Sequence, residues 1–552
     1  MEQGQWPRTR PVIRMGQGKA GTDASHQRIG FASAPGAGMP GGMIRAEDLL
    51  ARDFATLSDL VRAHAAVRGD AIAVADAHER LGWRELDAQA DRIAARLQVD
   101  GLVSGDRVAV AGLNACAQVA VIIGALRAGA CAGLITTSAT GDQMAAMVRD
   151  TGAAHLFLDA AAAASLAGQD VGAVQRIAMD GSDAGEALPR WMAPAGTLPA
   201  PVAIGPDDEF NIIYSSGTTG TPKGIVHSHG MRWQHIWRGI PAYGPAAVTI
   251  LSTPLYSNTT MASFLPTLGS GGKIVLMPKF DARAFLELAA RERATNCMLV
   301  PVQYRRIMAL DDFADFDLGS FVMKYCTSAP FPAALKADVL ARWPGGLVEI
   351  YGMTEGGGVC LLEAHKYPDK LHTVGQPAPG HDMRVIDEHG CELPPGSVGE
   401  IVGRSPAMMK GYNNRPDATS AMHWHDAEGR LFYRHGDIGR FDGDGFLTLM
   451  DRAKDMIISG GFNIFPSDLE AILLADPRVV EAAVVGVPSE EWGETPVAFV
   501  VLRDGDAEDV RAACNARVGK TQRLSAIVAV DELPRSAIGK VLKRDLRDGY
   551  RG

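Results

Sequence analysis

The chain lacks any cysteine framework. Its seven cysteines (Cys116, Cys131, Cys297, Cys326, Cys360, Cys391 and Cys514) are scattered through 552 residues without a CxxC pair. The odd count and wide spacing argue against a disulfide scaffold or a cysteine zinc site, and for a reducing compartment. Also missing is an apolar run of about 18 residues that could cross a bilayer, and no apolar segment follows the early arginines as a secretory signal would require. Positive charge is in deficit. A formal net charge of −10 argues against nonspecific nucleic-acid binding and against a polybasic membrane anchor. These absences leave a cytoplasmic protein whose partners are small molecules, with no membrane span and with a homodimer left open.

What is present is apolar content, 47% of residues, in a chain too long for one ordinary domain. Residues 1–42 are rich in Gly, Ala, Pro, Gln and Arg, include PGAGMPGG, and show no apolar period, so they read as a disordered leader. Met43 opens MIRAEDLLARDF, where helical periodicity starts, and a translation start there is a second reading. From Leu81 strand and helix alternate: GWRELDAQADRIAARL, RVAVAGL, AQVAVIIGALRAGA, CAGLI, TGDQMAAMVRDTGA, HLFLD. This βαβα order predicts an α/β fold of mixed sheets flanked by helices. Residues 180–206, rich in Gly, Pro and Ala, read as a connection.

Residues 211–230, NIIYSSGTTGTPKGIVHSHG, carry the strongest chemical signal. Ile212, Ile213 and Tyr214 form one apolar run, and Ile225 and Val226 another, with Ser215, Ser216, Gly217, Thr218, Thr219, Gly220, Thr221, Pro222, Lys223 and Gly224 between them. The pattern is strand, loop, strand. Hydroxyls, backbone N–H groups freed by glycine and one Lys are what a polyphosphate needs. It is not the GxxxxGK[ST] loop, because Pro222 precedes the Lys and β-branched residues follow it. The bland alternative is a polar hairpin that happens to be rich in Ser and Thr.

YSSGTTGTPKG resembles the signature loop of the adenylate-forming superfamily of acyl-CoA synthetases, peptide-synthetase adenylation domains and beetle luciferases, and further motifs extend the likeness to about Leu546. The resemblance implies that ATP and a carboxylate give an acyl-AMP and pyrophosphate, usually followed by thioester formation with coenzyme A. It also implies a large domain over residues 43–451 and a small mobile α+β domain over 452–552 that turns about a hinge at Lys454. GALRAGA resembles an early family landmark and also reads as tight helix packing by small residues.

Ser328, Ala329 and Pro330 in YCTSAPFP resemble the turn on which the adenine lies, and EIYGMTEGGG follows. There Tyr351 can stack on the purine, Thr354 can donate to the α-phosphate, and Glu355 can hold Mg²⁺ through carboxylate oxygens. Asp437 resembles the residue that accepts both ribose hydroxyls, as one carboxylate can. Arg452 resembles the Arg near ribose and phosphate. Lys540, in DELPRSAIGKVLKRDLR, resembles the catalytic lysine of the C-terminal loop, and Gly460 and Gly461 the face brought to the adenylate for thioester formation. Trp492 resembles a residue that contacts the adenine of CoA, and reads equally as a core Trp.

The acid site departs from the family. Tyr256 is followed by Ser257 where the family has His, and Ser257 and Asn258 stand where peptide-synthetase domains place an Asp for an amino group. Tyr256, Val302 and Met353 would wall the pocket, and Gly356, Gly357 and Gly358 would leave space in it. A non-amino monocarboxylic acid of medium or larger size is expected, fatty, alicyclic or aryl-substituted. A carrier-protein thiol or an amine is the alternative acceptor.

Three lesser signals complete the reading. DGDG at 442–445 lacks the further ligands of a calcium loop and reads as a hairpin turn. Ser467 and Glu470, after Pro466, have the spacing of a capping box. His227 with His229, and His423 with His425, have no third or fourth ligand nearby and read as strand or surface histidines rather than zinc ligands.

Overall fold

A computed structural model describes residues 44–215, 222–452, 455–459, 462–489, 492–519, 522–536 and 539–550. Among these residues four sheets form. In a nine-stranded mixed sheet, Ile72–Ala75, Lys273–Leu276, Val248–Leu251, Asn296–Leu299, Met323–Thr327 and Gly346–Gly352 are successive parallel neighbours. In an eight-stranded sheet, Cys131–Leu134, Arg107–Ala111, His155–Leu158 and Gln175–Ala178 run parallel, next to the antiparallel pair Glu209–Ser215 and Lys223–Ser228. The central strands Arg107–Ala111, Cys131–Leu134 and His155–Leu158 are buried almost throughout, as strands covered on both faces are.

The helices form where apolar residues recur every three or four positions. Trp83–Val99 buries Trp83, Leu86, Ala90, Ile93, Ala94 and Leu97, and its start is closed by the Glu85 carboxylate accepting the Gly82 N–H at 2.8 Å. The next helix, Cys116–Arg127, lies against it so closely that a Cβ on Gly124 would come within 2.6 Å of Ile93. This bears out tight packing by small residues in GALRAGA. Under the nine-stranded sheet, Trp343 is enclosed by the rings of Phe285, Tyr304, Phe313 and Phe321, with ring centroids 5.1–6.0 Å away.

A five-stranded antiparallel sheet centres on Leu431–Phe441, which turns back as Leu447–Arg452. The turn between them is the hairpin expected at DGDG. Asp442 accepts the N–H groups of Asp444 and Phe446, and both carboxylates take Lys370 Nζ, at 2.8 and 2.7 Å, so the cation held here is the protein's own.

The last sheet, built on Val479–Ser489 and Gly493–Leu502, carries its own apolar clusters around Leu469, Val484, Val500 and Val510 on one side and Val485, Phe499 and Leu533 on the other. The fold is α/β, with mixed sheets and a small C-terminal unit of sheet and helix. Here one expectation fails. Pro466 is the first residue of the helix Pro466–Leu474, and Phe465 stands at the cap position without a side-chain bond. Ser467 is therefore already inside the helix and donates to the carbonyl of Met450, while Glu470 accepts the Val484 N–H and pairs with Lys543. Proline has no N–H to be capped, so it takes the first helical position and displaces the box by two residues.

No described helix is long and apolar enough to cross a membrane. All seven thiols are free, six of them buried.

Candidate active site

The phosphate-loop hairpin is closed by the pairing of Ser215 with Lys223. Ser216, Gly217, Thr218, Thr219, Gly220 and Thr221 lie outside the described residues, as do Lys454, Gly460 and Gly461; Arg452 is described only in its backbone, paired with Asp437. Along the outer edge of Lys223–Ser228 runs the two-residue strand Gly411–Tyr412, with Tyr412 opposite Ile225. This places the Tyr412 ring under Lys223, with Nζ 5.1 Å from its centroid, and aims its hydroxyl at Glu355, which accepts at 2.6 Å. Burial, and then the charge of Glu355, push the Tyr412 hydroxyl pKa up, so it remains a donor. Sequence reading missed this residue. Its only local sign is a Gly–Tyr pair ahead of two asparagines; its role comes from strand pairing with a distant segment.

Strand Gly346–Gly352 delivers Tyr351, then Thr354 and Glu355. It is anchored by a buried ion pair between Glu349 and Lys336, which also donates to the carbonyls of Leu371 and Thr373. Burial raises Glu349 to about 7 against the pull of Lys336. The Tyr351 hydroxyl donates to Asp437 at 2.8 Å and lies 3.1 Å from His435 Nδ1, so the expected adenine and ribose residues are neighbours. Across from Tyr351, Ser328 adopts φ +81, a left-handed conformation that costs a non-glycine residue about 1–3 kcal/mol, and its hydroxyl is 2.5 Å from that of Thr259. Ala329 is half-buried and Pro330 exposed.

The three glycines after Glu355 are each hemmed in on the side a Cβ would take. A Cβ on Gly356 would come within 1.8 Å of the Ala407 carbonyl, one on Gly357 within 2.8 Å of Tyr433, and one on Gly358 within 2.2 Å of Met383. A side chain at these positions would meet packed protein, so glycine is needed where the segment presses on its neighbours. Met353 likewise packs with Ile225, Met409 and Tyr433.

Ser257, where the family has His, caps the helix Asn258–Gly269 by accepting the Thr259 N–H. Tyr256 is buried, with its hydroxyl 3.3 Å from Ser138 Oγ. His227 is fully buried, with Nε2 2.9 Å from the Thr354 carbonyl oxygen and a pKa held well below its ordinary value by burial and by Arg232. His229 begins the next helix against Phe210, and His423 stacks on Tyr433; among the described residues no group of three potential metal ligands gathers.

Lys540 lies in a tight loop in which Ser536 and Lys540 exchange bonds and Arg535 bridges to Val541. Gly539, at φ +75, comes so near the helix Pro301–Met308 that a Cβ would be 2.6 Å from Val302. The loop is held there by Glu481, which accepts from Arg305 of that helix at 2.6 Å and from Arg535 at 2.7 Å, while Arg535 also donates to the Gly539 carbonyl at 2.8 Å. Trp492 is half-buried at the tip of the hairpin Val479–Ser489 and Gly493–Leu502, outside that sheet's cores.

Comparison with known proteins agrees with this geometry. Residues 61–413 match the family model "AMP-binding enzyme", and residues 468–540 its C-terminal domain. A feruloyl-CoA synthase of an Amycolatopsis species is 33% identical over 486 residues, covering 86% of this chain and 95% of that protein. An indoleacetate–CoA ligase of Aromatoleum aromaticum is 33% identical over 512 residues, covering 89% and 97%. Among solved structures, the amide bond synthetase McbA from Marinactinospora thermotolerans superposes with a TM-score of 0.79 at 27% identity, over 89% of this chain and 99% of that one. The chain belongs to the AMP-binding enzyme family, as an adenylate-forming enzyme of the acyl-CoA ligase type.

Proposed function

We propose that this chain joins a non-amino monocarboxylic acid to ATP as an acyl-AMP, releasing pyrophosphate, and then passes the acyl group to coenzyme A, releasing AMP. The observation that carries the reading is the convergence of Lys223, Tyr412 and Glu355 beside Thr354, with the Lys540 loop docked at Val302. In the first step a carboxylate oxygen attacks the α-phosphorus as the bond to pyrophosphate breaks. Lys223 and the Ser215-to-Lys223 loop hold the leaving phosphates, Thr354 donates to the α-phosphate, and Lys540 offsets charge between acid and phosphate. Asp437 accepts the ribose hydroxyls.

The Glu355 carboxylate fits Mg²⁺. Tyr412 fixes Oε1, Oε2 makes no hydrogen bond among the described residues, and one carboxylate plus phosphates and water suffices for this ion. When bound, Mg²⁺ neutralises phosphate charge as a Lewis acid. In the second step the C-terminal part turns about Lys454, and Gly460 and Gly461 admit the CoA thiol past Trp492. Sulfur attacks the acyl carbon, the bond to AMP breaks, and the thiol proton passes to water. An amine acceptor is the second reading, favoured by the likeness to McbA.

The test is AMP release from acid, ATP and Mg²⁺ with and without CoA, with thiol loss followed in parallel. Release that needs CoA and matches thiol loss is expected. Release that needs an amine and spares the thiol would replace this reading with the second.

A further inference from the structure

Arg232 lies on the helix His229–Gly239 and is fully buried, yet among the described residues no carboxylate pairs with it. Its four hydrogen bonds go to neutral groups: Nε to Asn211 Oδ1 at 2.9 Å, Nη1 to Asn258 Oδ1 at 2.8 Å and to His235 Nδ1 at 3.1 Å, and Nη2 to His227 Nδ1 at 2.9 Å. Burial lowers its pKa to about 9 and that of His235 to about 3, so at neutral pH the guanidinium is charged and the imidazole neutral.

A guanidinium only donates. Whatever faces it must therefore accept, which removes the usual ambiguity of amide and imidazole orientation. Asn258 turns its oxygen to Arg232 and so presents its Nδ2 hydrogens elsewhere. His235 gives Arg232 the lone pair of Nδ1 and so carries its proton on Nε2. Among the described residues neither donor has a hydrogen-bond partner, and both side chains are only half-buried.

Their place matters. Asn258 directly follows Ser257, and its other neighbour, Thr259, touches Ser328 of the nucleotide turn. The second imidazole on the same guanidinium, His227, reaches the Thr354 carbonyl. Arg232 thus orients Asn258, which sequence reading set in the acid pocket with Ser257 beside the walls Tyr256, Val302 and Met353.

We infer that Arg232 is a positioning residue that sets Asn258 Nδ2 and His235 Nε2 as hydrogen-bond donors toward the acyl tail, so that the preferred acid carries an oxygen acceptor on its tail rather than a plain hydrocarbon. The inference rests on the acid-activating function proposed above. A donor left facing a hydrocarbon would lose its hydration without replacement, and an acceptor-bearing acid avoids that loss.

The test compares meta- and para-methoxycinnamate with their ethyl isosteres, and alkoxyalkanoates with all-carbon alkanoates of equal length, by kcat/KM for CoA-dependent AMP release. At least one oxygen-bearing acid should exceed its isostere by about tenfold in the wild-type enzyme. Asn258→Leu should abolish that preference. Asn258→Asp, which keeps an acceptor for Arg232 and so guards against misfolding, should reverse it by replacing the donor with an acceptor. If acids are activated but no oxygen-bearing one exceeds its isostere, or the preference survives both substitutions, the inference fails while the proposed reaction stands. If no acid of either series supports AMP release, both fail.

Discussion

Removing the Glu481 carboxylate should uncouple adenylation from thioester formation. In Glu481→Ala two charge-assisted bonds disappear, to Arg305 at 2.6 Å and Arg535 at 2.7 Å, and two guanidinium groups are left facing one another. The side chains of Arg305, Glu481 and Arg535 are 37%, 17% and 23% exposed, so each bond is partly screened and is given about 1 kcal/mol rather than the value of a buried pair. Together they come to about 2 kcal/mol, or about a thirtyfold fall in the population with the Lys540 loop seated on Val302. Acid-dependent ATP–pyrophosphate exchange should fall by up to that factor. CoA-dependent consumption of a supplied acyl-AMP, which needs the loop withdrawn, should hold or rise. Arg305→Met, which removes one of the two bonds, should show the same kind of defect at about fivefold, and the double variant should be no worse than Glu481→Ala, in which the Arg305 bond is already lost. Equal loss in both half-reactions, or additive losses in the double variant, would refute the latch.

Two further outcomes follow from the site and its surroundings. Tyr412→Phe keeps the ring beneath Lys223 but removes the bond to Glu355; it should raise the Mg²⁺ concentration for half-maximal exchange and lower kcat/KM for MgATP about tenfold, whereas an unchanged Mg²⁺ titration would show that the tyrosine merely packs. His229 is buried against Phe210, and burial lowers its pKa from 6.5 to about 4, so between those values the unfolded chain takes a proton that the folded chain does not. Its contribution to stability is whole above pH 6.5 and drains as pH falls toward 4, by up to about 1.4 kcal/mol per pH unit. The slope of melting temperature against pH in that window should flatten in His229→Gln; an unaltered slope would contradict the burial argument.

Elements with strong local periodicity were legible in the sequence. The alternation from Leu81 onward, the strand–loop–strand around Lys223 and the Asp442 turn depend on residues a few positions apart, and each stands where it was read. What escaped depends on tertiary contact. Tyr412 gains its place only by pairing with Lys223–Ser228, Glu481 by meeting Arg305, and Arg232 by facing Asn258 across two packed helices. An Arg within MRWQHIWR looks like a solvent-facing charge until the helix is found buried against Pro266 and Gly269. The glycines after Glu355 show the converse. Their number was plain, but the reason lies in Ala407, Tyr433 and Met383, which no local pattern reveals. At Ser467 a correct motif was defeated by the residue before it, since Pro466 claims the first helical position.

The central claim is that this chain forms an acyl-AMP with Lys540 in the first half-reaction and transfers the acyl group without it. Lys540→Ala, shown by its melting temperature to be folded, separates the two steps most directly. Pyrophosphate exchange should fall by at least about a hundredfold, while thioester formation from supplied acyl-AMP and CoA stays within about twofold of wild type, because a group acting in one transition state has no part in the other. Parallel loss of both half-reactions, or exchange that persists at the wild-type rate, would contradict the account.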